Sequence, residues 1–213
     1  MSFLSGMLLA AAAGFALGTW VGVTAGLRRL EYVCKPATMA ALAGMAAALT
    51  PRSNGERALF VVALLLGLAG DVLLMLPRDY LLPGLVAFLL GHAAYIAGFR
   101  FLPFTAAPAG AAVILVAAGA ALMLRRYVAG LRRSGRNRLV APVLVYAVVI
   151  SLTVVSAAGS RHWVAFAGAL LFYVSDALFA WYRFVGPLRW GRPVNIVLYQ
   201  AGQALLALSL AVG

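Results

Sequence analysis

Long apolar segments alternate with short polar interruptions along the chain, and this pattern predicts membrane-crossing helices. A helix of about 20 mostly apolar residues spans the hydrocarbon core of a bilayer. The segments lack the sustained period-2 alternation of a transmembrane barrel. The second predicted span is shorter than the others, so a thin or partly re-entrant segment fits it as well as a full crossing. The eight predicted spans are 3–27, 36–50, 58–76, 81–101, 105–124, 139–158, 163–182 and 193–212.

Composition agrees with an all-α polytopic membrane bundle that forms a single eight-helix domain over residues 1–213. Hydrophobic residues make up 65% of the chain and charged residues 10%, whereas soluble domains are nearer 45–50% apolar and about 25% charged. These values exclude a soluble globular domain and a disordered chain. One cysteine and two histidines exclude a disulfide framework and predict no metal site. The chemistry considered below requires no cofactor.

The net charge of +12 would also suit a nucleic-acid-binding protein. In a chain this apolar, we assign the basic residues to the membrane edges, facing anionic lipid head groups, and expect no nucleic-acid partner. With eight spans, thirteen of the 17 basic residues lie on one side, and the positive-inside rule then places both termini outside. Arginine strongly outnumbers lysine, which favours a GC-rich bacterial gene and a bacterial inner membrane. The four basic residues on the opposite side of the membrane from these thirteen are Arg52, Arg57, Arg100 and Arg161.

The two halves of the sequence align weakly with each other at an offset of about 105 positions. Residues 70–73, with the sequence GDVL, align with residues 175–178, with the sequence SDAL. Residues 33–36 fall near 139–142, and each of these segments ends in proline. A parallel 4+4 repeat related by an axis along the membrane normal is therefore one hypothesis for the architecture.

Two carboxylates, Asp71 and Asp176, lie inside predicted spans and are the candidate catalytic residues. A carboxylate at membrane depth is costly, faces the bundle interior and usually marks a functional site. The helical rise places the two roughly 9 and 10 Å from the inner ends of spans 3 and 7, and thus at matching depth. The alternative is that each carboxyl is neutral and only hydrogen-bonds a neighbouring helix.

Further polar residues gather near this depth. Asn195 and Tyr199 share a face of span 8 at i, i+4, with Gln200 beside them, and His92 and Tyr95 share a face of span 4. Tyrosine and glutamine in such positions often only join helices, and a single buried histidine is often only a hydrogen-bonding partner.

Lys35 lies at the inner end of the predicted span 2 and has two interpretations. It is either a snorkelling anchor at the membrane interface or a point charge that binds phosphate, with Arg28 and Arg29 nearby.

The order of these motifs resembles that of the YhhN-like family of integral membrane lysoplasmalogenases, over almost the whole chain. The motifs are Lys35-Pro36 in span 2, residues 70–74 (GDVLL) in span 3, residues 91–95 (GHAAY) in span 4, Ser175-Asp176 in span 7 and Tyr199-Gln200 in span 8. The resemblance implies cleavage of the vinyl ether bond of a lysoplasmalogen, which gives a fatty aldehyde and glycerophosphoethanolamine or glycerophosphocholine. It also implies that Asp71 and Asp176 are the catalytic pair. The candidate substrate-binding residues are Lys35, His92, Tyr95, Ser175, Asn195, Tyr199 and Gln200.

Two nearby carboxyls suit this reaction. Hydrolysis of a vinyl ether begins with protonation of the β-carbon, which creates an oxocarbenium ion that water then attacks. A protonated carboxylic acid can supply the proton, and an ionised carboxylate can stabilise the positive charge, as in glycoside hydrolysis. The sequence does not distinguish which aspartate is the acid.

Three other classes of protein use similar residues. An intramembrane aspartyl protease is disfavoured because Leu68 breaks the expected Gly-x-Gly-Asp pattern before Asp71. A metal-dependent ceramidase-like hydrolase needs more histidines at one depth than this chain has. A proton-coupled transporter of a lipid or small amphiphile stays open, with Asp71, Asp176 and His92 as its proton relay.

Overall fold

The computed structural model describes residues 2–50, 53–77 and 80–211, and these residues form eight α-helices without a strand. Short helical turns cover Asn137–Leu139, Trp181–Val185 and Ser209–Ala211. The predicted polytopic helical bundle is confirmed, while the 4+4 repeat stays a hypothesis. The helices are α1 (Phe3–Thr24), α2 (Arg28–Ala48), α3 (Asn54–Met75), α4 (Leu81–Phe99), α5 (Ala106–Arg133), α6 (Val140–Gly159), α7 (Trp163–Ala180) and α8 (Gly191–Leu208).

Seven of these helices are long and apolar enough to cross a membrane, and α2 is the exception. The outward surfaces of the bundle carry large apolar side chains, among them Phe15, Val86, Ile114 and Val148. An apolar exterior matches a hydrocarbon solvent, so the chain is an integral membrane protein. The α2 helix falls short because its first eight residues include four charged side chains.

The prediction for span 2 is wrong in its start, because α2 begins at Arg28 instead of residue 36 and is 21 residues long. Its charged side chains do not break the helix, since other helices provide partners inside the bundle. The buried Glu31 carboxylate pairs with Arg192, and Lys35 pairs with Asp71. Buried charges are tolerated when they are paired.

The predicted spans 105–124 and 139–158 leave residues 125–138 as a basic loop, and this prediction is also wrong, because α5 continues to Arg133. Burial of Tyr127 and Leu131 stabilises this extension, and the Tyr127 hydroxyl donates to the Ala177 carbonyl at 2.8 Å. The helix ends where Gly135 adopts a φ of +70°. The N–H of Arg136 then donates to the carbonyl of Leu131, which is a Schellman closure.

A π-helical turn at Trp181–Val185 follows α7. Such turns are rare and frequently occur at functional sites. The extended α5 packs directly against this turn, and a Cβ on Gly130 would lie only 1.8 Å from the Phe184 carbonyl oxygen. The turn places Tyr182 and Phe184 in the lining of the cavity described below.

The pairs α1–α2, α3–α4 and α7–α8 pack most extensively, and α8 also contacts α1, α2 and α3. Small residues permit these close approaches. In α7 and α8, a Cβ on either Gly168 or Gly202 would lie 2.8 Å from the carbonyl oxygen of the other glycine.

Consecutive helices alternate in direction, so the carboxyl ends of α1, α3, α5 and α7 lie at one end of the bundle. Most of the described basic residues cluster near this end, as the sequence predicted. Arg52 and Arg78, which also entered the charge count, lie outside the described residues.

Candidate functional site

A cavity of about 440 Å³ opens at the basic end of the bundle. Both aspartates line it, and each lies four residues before the last residue of its helix, α3 or α7. Apolar side chains such as Leu85, Phe88 and Ile196 form much of the remaining wall. The polar and charged lining residues are Arg28, Glu31, Tyr32, Lys35, Asp71, Tyr146, Asp176, Tyr182, Arg192, Asn195 and Tyr199.

Asp71 is buried and bound on both carboxylate oxygens. The Lys35 Nζ lies 2.8 Å from Oδ1, and the Tyr199 hydroxyl donates to Oδ2 at 2.9 Å. The Lys35 ammonium also lies 5.7 Å from the centre of the Tyr199 ring. Helices α2, α3 and α8 thus meet at one ion pair. Gly67, one turn before Asp71, leaves space for Tyr199, because a Cβ there would lie 3.3 Å from its hydroxyl.

Asp176 has a different environment, built by α4, α6 and α7. The Tyr146 hydroxyl donates to Oδ2 of Asp176, and the His92 Nε2 lies 4.0 Å from the same oxygen. The Tyr146 oxygen is 3.3 Å from His92 Nε2, and Thr153 Oγ1 is 3.2 Å from His92 Nδ1. The Asp176 side chain is 22% exposed, whereas that of Asp71 is 2% exposed. Asp176 is therefore the more accessible carboxyl.

A third polar group lies at the mouth of the cavity. Both oxygens of the buried Glu31 carboxylate accept from one guanidinium nitrogen of Arg192, at 2.6 and 2.7 Å. One turn further along α8, Tyr182 donates to the Asn195 Oδ1 at 3.2 Å, and Asn195 Nδ2 donates to the Ser175 carbonyl at 2.7 Å. These contacts fix the first turns of α8 against α2 and α7.

An aromatic cluster joins the two aspartate environments. The Tyr199 ring lies 5.8 Å from Phe88 and 5.1 Å from Phe172 between ring centres. The Phe172 ring in turn lies 4.5 Å from that of His92. Phe88 and Tyr199 of this cluster also line the cavity, and such an apolar wall strengthens the electrostatic interactions beside it.

The structure brings several predicted site residues into the cavity. Lys35, Asn195 and Tyr199 line it together with both aspartates. His92 is outside the described lining, and its Nε2 lies 3.3 Å from the hydroxyl oxygen of the lining residue Tyr146.

Besides His92, three predicted substrate-binding residues lie outside the described lining. The Tyr95 hydroxyl donates to Gln203 Oε1 at 2.6 Å, and the Ser175 hydroxyl donates to the Phe172 carbonyl of its own helix at 2.8 Å. Gln200 accepts from the Trp20 indole at 2.7 Å and so joins α8 to α1. Each of these polar groups has an internal partner, as buried polar groups usually do.

The sequence did not point to Tyr146, Glu31, Arg192 or Tyr182 as site residues. Glu31 and Arg192 lie between predicted spans, and a lone tyrosine in the apolar span 6 gives no distinctive pattern. One overlooked signal is the i, i+4 stripe of Asn195, Tyr199 and Gln203, which marks the polar face of α8.

Within residues 2–50, 53–77 and 80–211, no group of three histidine, cysteine, aspartate or glutamate side chains is arranged to hold a metal ion. The described lining instead contains three carboxyl groups, those of Glu31, Asp71 and Asp176, with basic, phenolic and amide side chains beside them.

Comparisons with known proteins find a family and several relatives. The model of the YhhN family matches residues 30–210. The human protein named lysoplasmalogenase TMEM86B is 32% identical over 171 residues, which cover 79% of this chain and 70% of that protein. Proteins named lysoplasmalogenase from Mycobacterium bovis and Mycobacterium tuberculosis are each 32% identical over 223 residues, covering 92% of this chain and 83% of theirs. No solved structure matches the chain significantly.

Proposed function

This chain belongs to the YhhN family, and we propose that it hydrolyses the vinyl ether bond of lysoplasmalogens. The products are a fatty aldehyde and glycerophosphoethanolamine or glycerophosphocholine. Relatives named lysoplasmalogenase, at 32% identity over most of the chain, support this substrate. The structural observation that carries the proposal is that Asp71 and Asp176, from two membrane-spanning helices, line one cavity.

The cavity suits a single-chain lipid. Its volume of about 440 Å³ lies within the usual 300–1,000 Å³ range of ligand pockets. Its wall combines apolar side chains with charged groups at the mouth. In our proposal the alkenyl chain lies among the apolar side chains, the vinyl ether lies between the aspartates, and the head group lies towards the mouth.

We assign the proton donor to Asp176. Its side chain is the more exposed of the two, and its described contacts are with the neutral hydroxyl of Tyr146 and with His92. Asp71, by contrast, is bound in an ion pair with Lys35. A carboxyl that must donate a proton to substrate needs access to the cavity, and it gains nothing from a permanent cation beside it.

The reaction then proceeds in three steps. Protonated Asp176 transfers its proton to the β-carbon, and the double bond electrons form the new C–H bond, which leaves an oxocarbenium ion. Water adds to the carbon bonded to oxygen, and the Asp176 carboxylate accepts a proton from that water. The resulting hemiacetal collapses to the aldehyde and the glycerol hydroxyl.

Asp71 has an electrostatic role in this scheme. Its carboxylate places negative charge near the developing oxocarbenium ion, and Lys35 and Tyr199 hold it in position. Preorganised charges of this kind act without reorganisation at the moment of reaction. Tyr146 is a positioning residue, since it binds the Asp176 carboxyl and also contacts His92.

We further propose that the protein lies in a bacterial inner membrane with both termini outside, so that the cavity opens to the cytoplasmic leaflet. The support is the concentration of basic residues at the cavity end. Cysteine labelling in a Cys34-free background tests this orientation. Labelling of a cysteine at position 134 by an impermeant reagent in intact cells would contradict it.

Purified protein in detergent tests the reaction. A lysoplasmalogen should yield aldehyde, while its saturated ether analogue should bind without cleavage because it has no double bond to protonate. In deuterated water, one deuterium should appear on the carbon next to the aldehyde. Aldehyde without that deuterium, after a control for exchange through the enol, would exclude protonation of the β-carbon.

The same experiment separates hydrolysis from proton-coupled transport. Transport requires a sealed membrane, whereas hydrolysis proceeds in detergent. Transport of a lipid in proteoliposomes without any product in detergent would replace the proposed enzyme by the transporter.

A further inference from the structure

One face of α2 lines the cavity from its mouth to the Asp71 site. Arg28, Glu31, Tyr32 and Lys35 follow the spacing i, i+3, i+4, i+7, and all four contribute to the lining. The deepest of them is Lys35, whose Nζ forms an ion pair with Asp71 Oδ1 at 2.8 Å. Only 11% of the Lys35 side chain is exposed. Lys35 is therefore poorly placed to bind the phosphate that its position in the sequence suggested.

Within the described residues, the contacts of the Arg192 guanidinium leave some of its N–H donors unused. Glu31 accepts from one of its guanidinium nitrogens, whereas a guanidinium carries five N–H donors on three nitrogens. The Arg192 side chain is 55% exposed and lines the cavity mouth, while Glu31 is buried behind it. A buried carboxylate that holds an accessible arginine is an arrangement that orients donors towards a ligand.

We propose that Arg28 and Arg192 bind the phosphodiester of the substrate head group, and that Glu31 is the positioning residue for Arg192. This inference rests on the proposed function, because it assigns the part of the lysolipid that the cavity mouth recognises. Two guanidinium groups and one carboxylate leave a local charge of +1, which matches the single negative charge of a phosphodiester. Arginine also matches the geometry of phosphate oxygens better than lysine does.

The spacing along α2 agrees with the length of the substrate. Glu31 precedes Lys35 by one turn, or about 6 Å along the axis. Five bonds separate the vinyl ether oxygen from phosphorus in a lysoplasmalogen, and they extend over about 6 Å at ordinary bond lengths. A phosphate at the level of the Glu31–Arg192 pair therefore places the vinyl ether at the level of the Lys35–Asp71 pair.

Binding of two uncleavable lipids tests the proposal without depending on activity. The probes are a saturated alkyl ether lysophosphocholine and the matching alkylglycerol, which lacks the phosphodiester. Arg28→Gln should weaken binding of the phospholipid roughly 10-fold, the lower end for a lost hydrogen bond to a charged group. Binding of the alkylglycerol should stay unchanged. Arg29→Gln is the matched control, since Arg29 is also exposed in the first turn of α2 but lies outside the described lining.

A second variant addresses Arg192. Arg192→Gln alone would leave the buried Glu31 carboxylate without its partner, so the double variant E31Q/R192Q is used, with its thermal unfolding compared with that of the wild type. It should lose phospholipid affinity at least as strongly as Arg28→Gln and retain alkylglycerol affinity. Inorganic phosphate at matched ionic strength should compete only weakly with the phospholipid.

Three results would overturn the inference. The first is an equal loss of affinity for the phospholipid and the alkylglycerol. The second is that Arg28→Gln or E31Q/R192Q shows no selective loss of phospholipid affinity. The third is that inorganic phosphate competes as strongly as the lysolipid does. Failure of the proposed function would give a different result. In that case the folded wild-type protein would bind the ether phospholipid through Arg28 but would release no aldehyde from a lysoplasmalogen.

Discussion

The surroundings of Asp71 and Asp176 differ more than their positions in the sequence suggest. Each aspartate lies four residues from the end of its helix and lines the same cavity. Asp71 is buried in an ion pair, whereas Asp176 is partly exposed beside a tyrosine and a histidine. Two carboxyls at matching depth therefore have distinct environments, as a division between proton donor and electrostatic partner requires.

The difference arises from the helices that pack beside them. Helix α2 brings Lys35 to Asp71, while α6 brings Tyr146 to Asp176. In the weak internal alignment, the position near Lys35 in the second half is Ala141, which carries no charge. Asp71 therefore has a lysine ammonium beside its carboxylate, whereas the described partners of Asp176 are the Tyr146 hydroxyl and the His92 ring.

The largest effect on activity is expected from Asp176→Asn, which removes the assigned proton donor. Turnover should fall by at least ~100-fold, the lower end for general acid catalysis. Thermal unfolding in detergent should change little, because the side chain is partly exposed and keeps a polar partner. Initial rates of aldehyde release and a melting curve measure the two properties. Full activity in this variant would remove Asp176 from the mechanism.

On the Asp71 side, loss of activity should be accompanied by loss of stability. Lys35→Met leaves a buried carboxylate unpaired, and breaking a buried ion pair typically costs about 3–5 kcal/mol of unfolding free energy. The double variant K35M/D71N should recover much of that stability but little activity, because it also lacks the Asp71 carboxylate. Unfolding titrations and rate measurements on both variants test this. Activity in the double variant equal to that of wild type would exclude an electrostatic role for Asp71.

A smaller effect is expected from Tyr146→Phe, which removes the hydrogen bond to Asp176 and the contact with His92. We expect kcat to fall roughly 10-fold with little change in KM, as for the loss of a positioning hydrogen bond of about 1 kcal/mol or slightly more. Tyr199→Phe is the matched change beside Asp71 and should reduce kcat less, because Lys35 still holds that carboxylate. The opposite order would reverse the assignment of the two aspartates.

The smallest effect is expected from Trp20→Phe, which removes the hydrogen bond from α1 to Gln200. The variant should lose about 1 kcal/mol of stability and retain wild-type kcat and KM, because Trp20 lies outside the described cavity lining. A clear rise in KM would restore Gln200 to the substrate-binding set that the sequence predicted.

The sequence predicted the bundle well because each helix that crosses a bilayer must be apolar over its own length, whatever its neighbours are. Its errors fall at the cavity end of the bundle, where α2 starts early and α5 continues past the predicted end of its span at residue 124. Both errors have one cause, since charged residues in a sequence favour the prediction of a helix end. The structure shows that Glu31 and Lys35 remain helical because partners on other helices pair with them.

By itself, the sequence determined the class of protein, the family resemblance and the two carboxyls that cannot face lipid, because hydropathy and the cost of a charge in hydrocarbon are local properties. Only the tertiary structure decided which groups surround each carboxyl. The pairings of Lys35 with Asp71, Tyr146 with Asp176 and Glu31 with Arg192 join residues 30 to 161 positions apart. No periodicity within a helix encodes such contacts, because they depend on how the helices rotate and pack against one another.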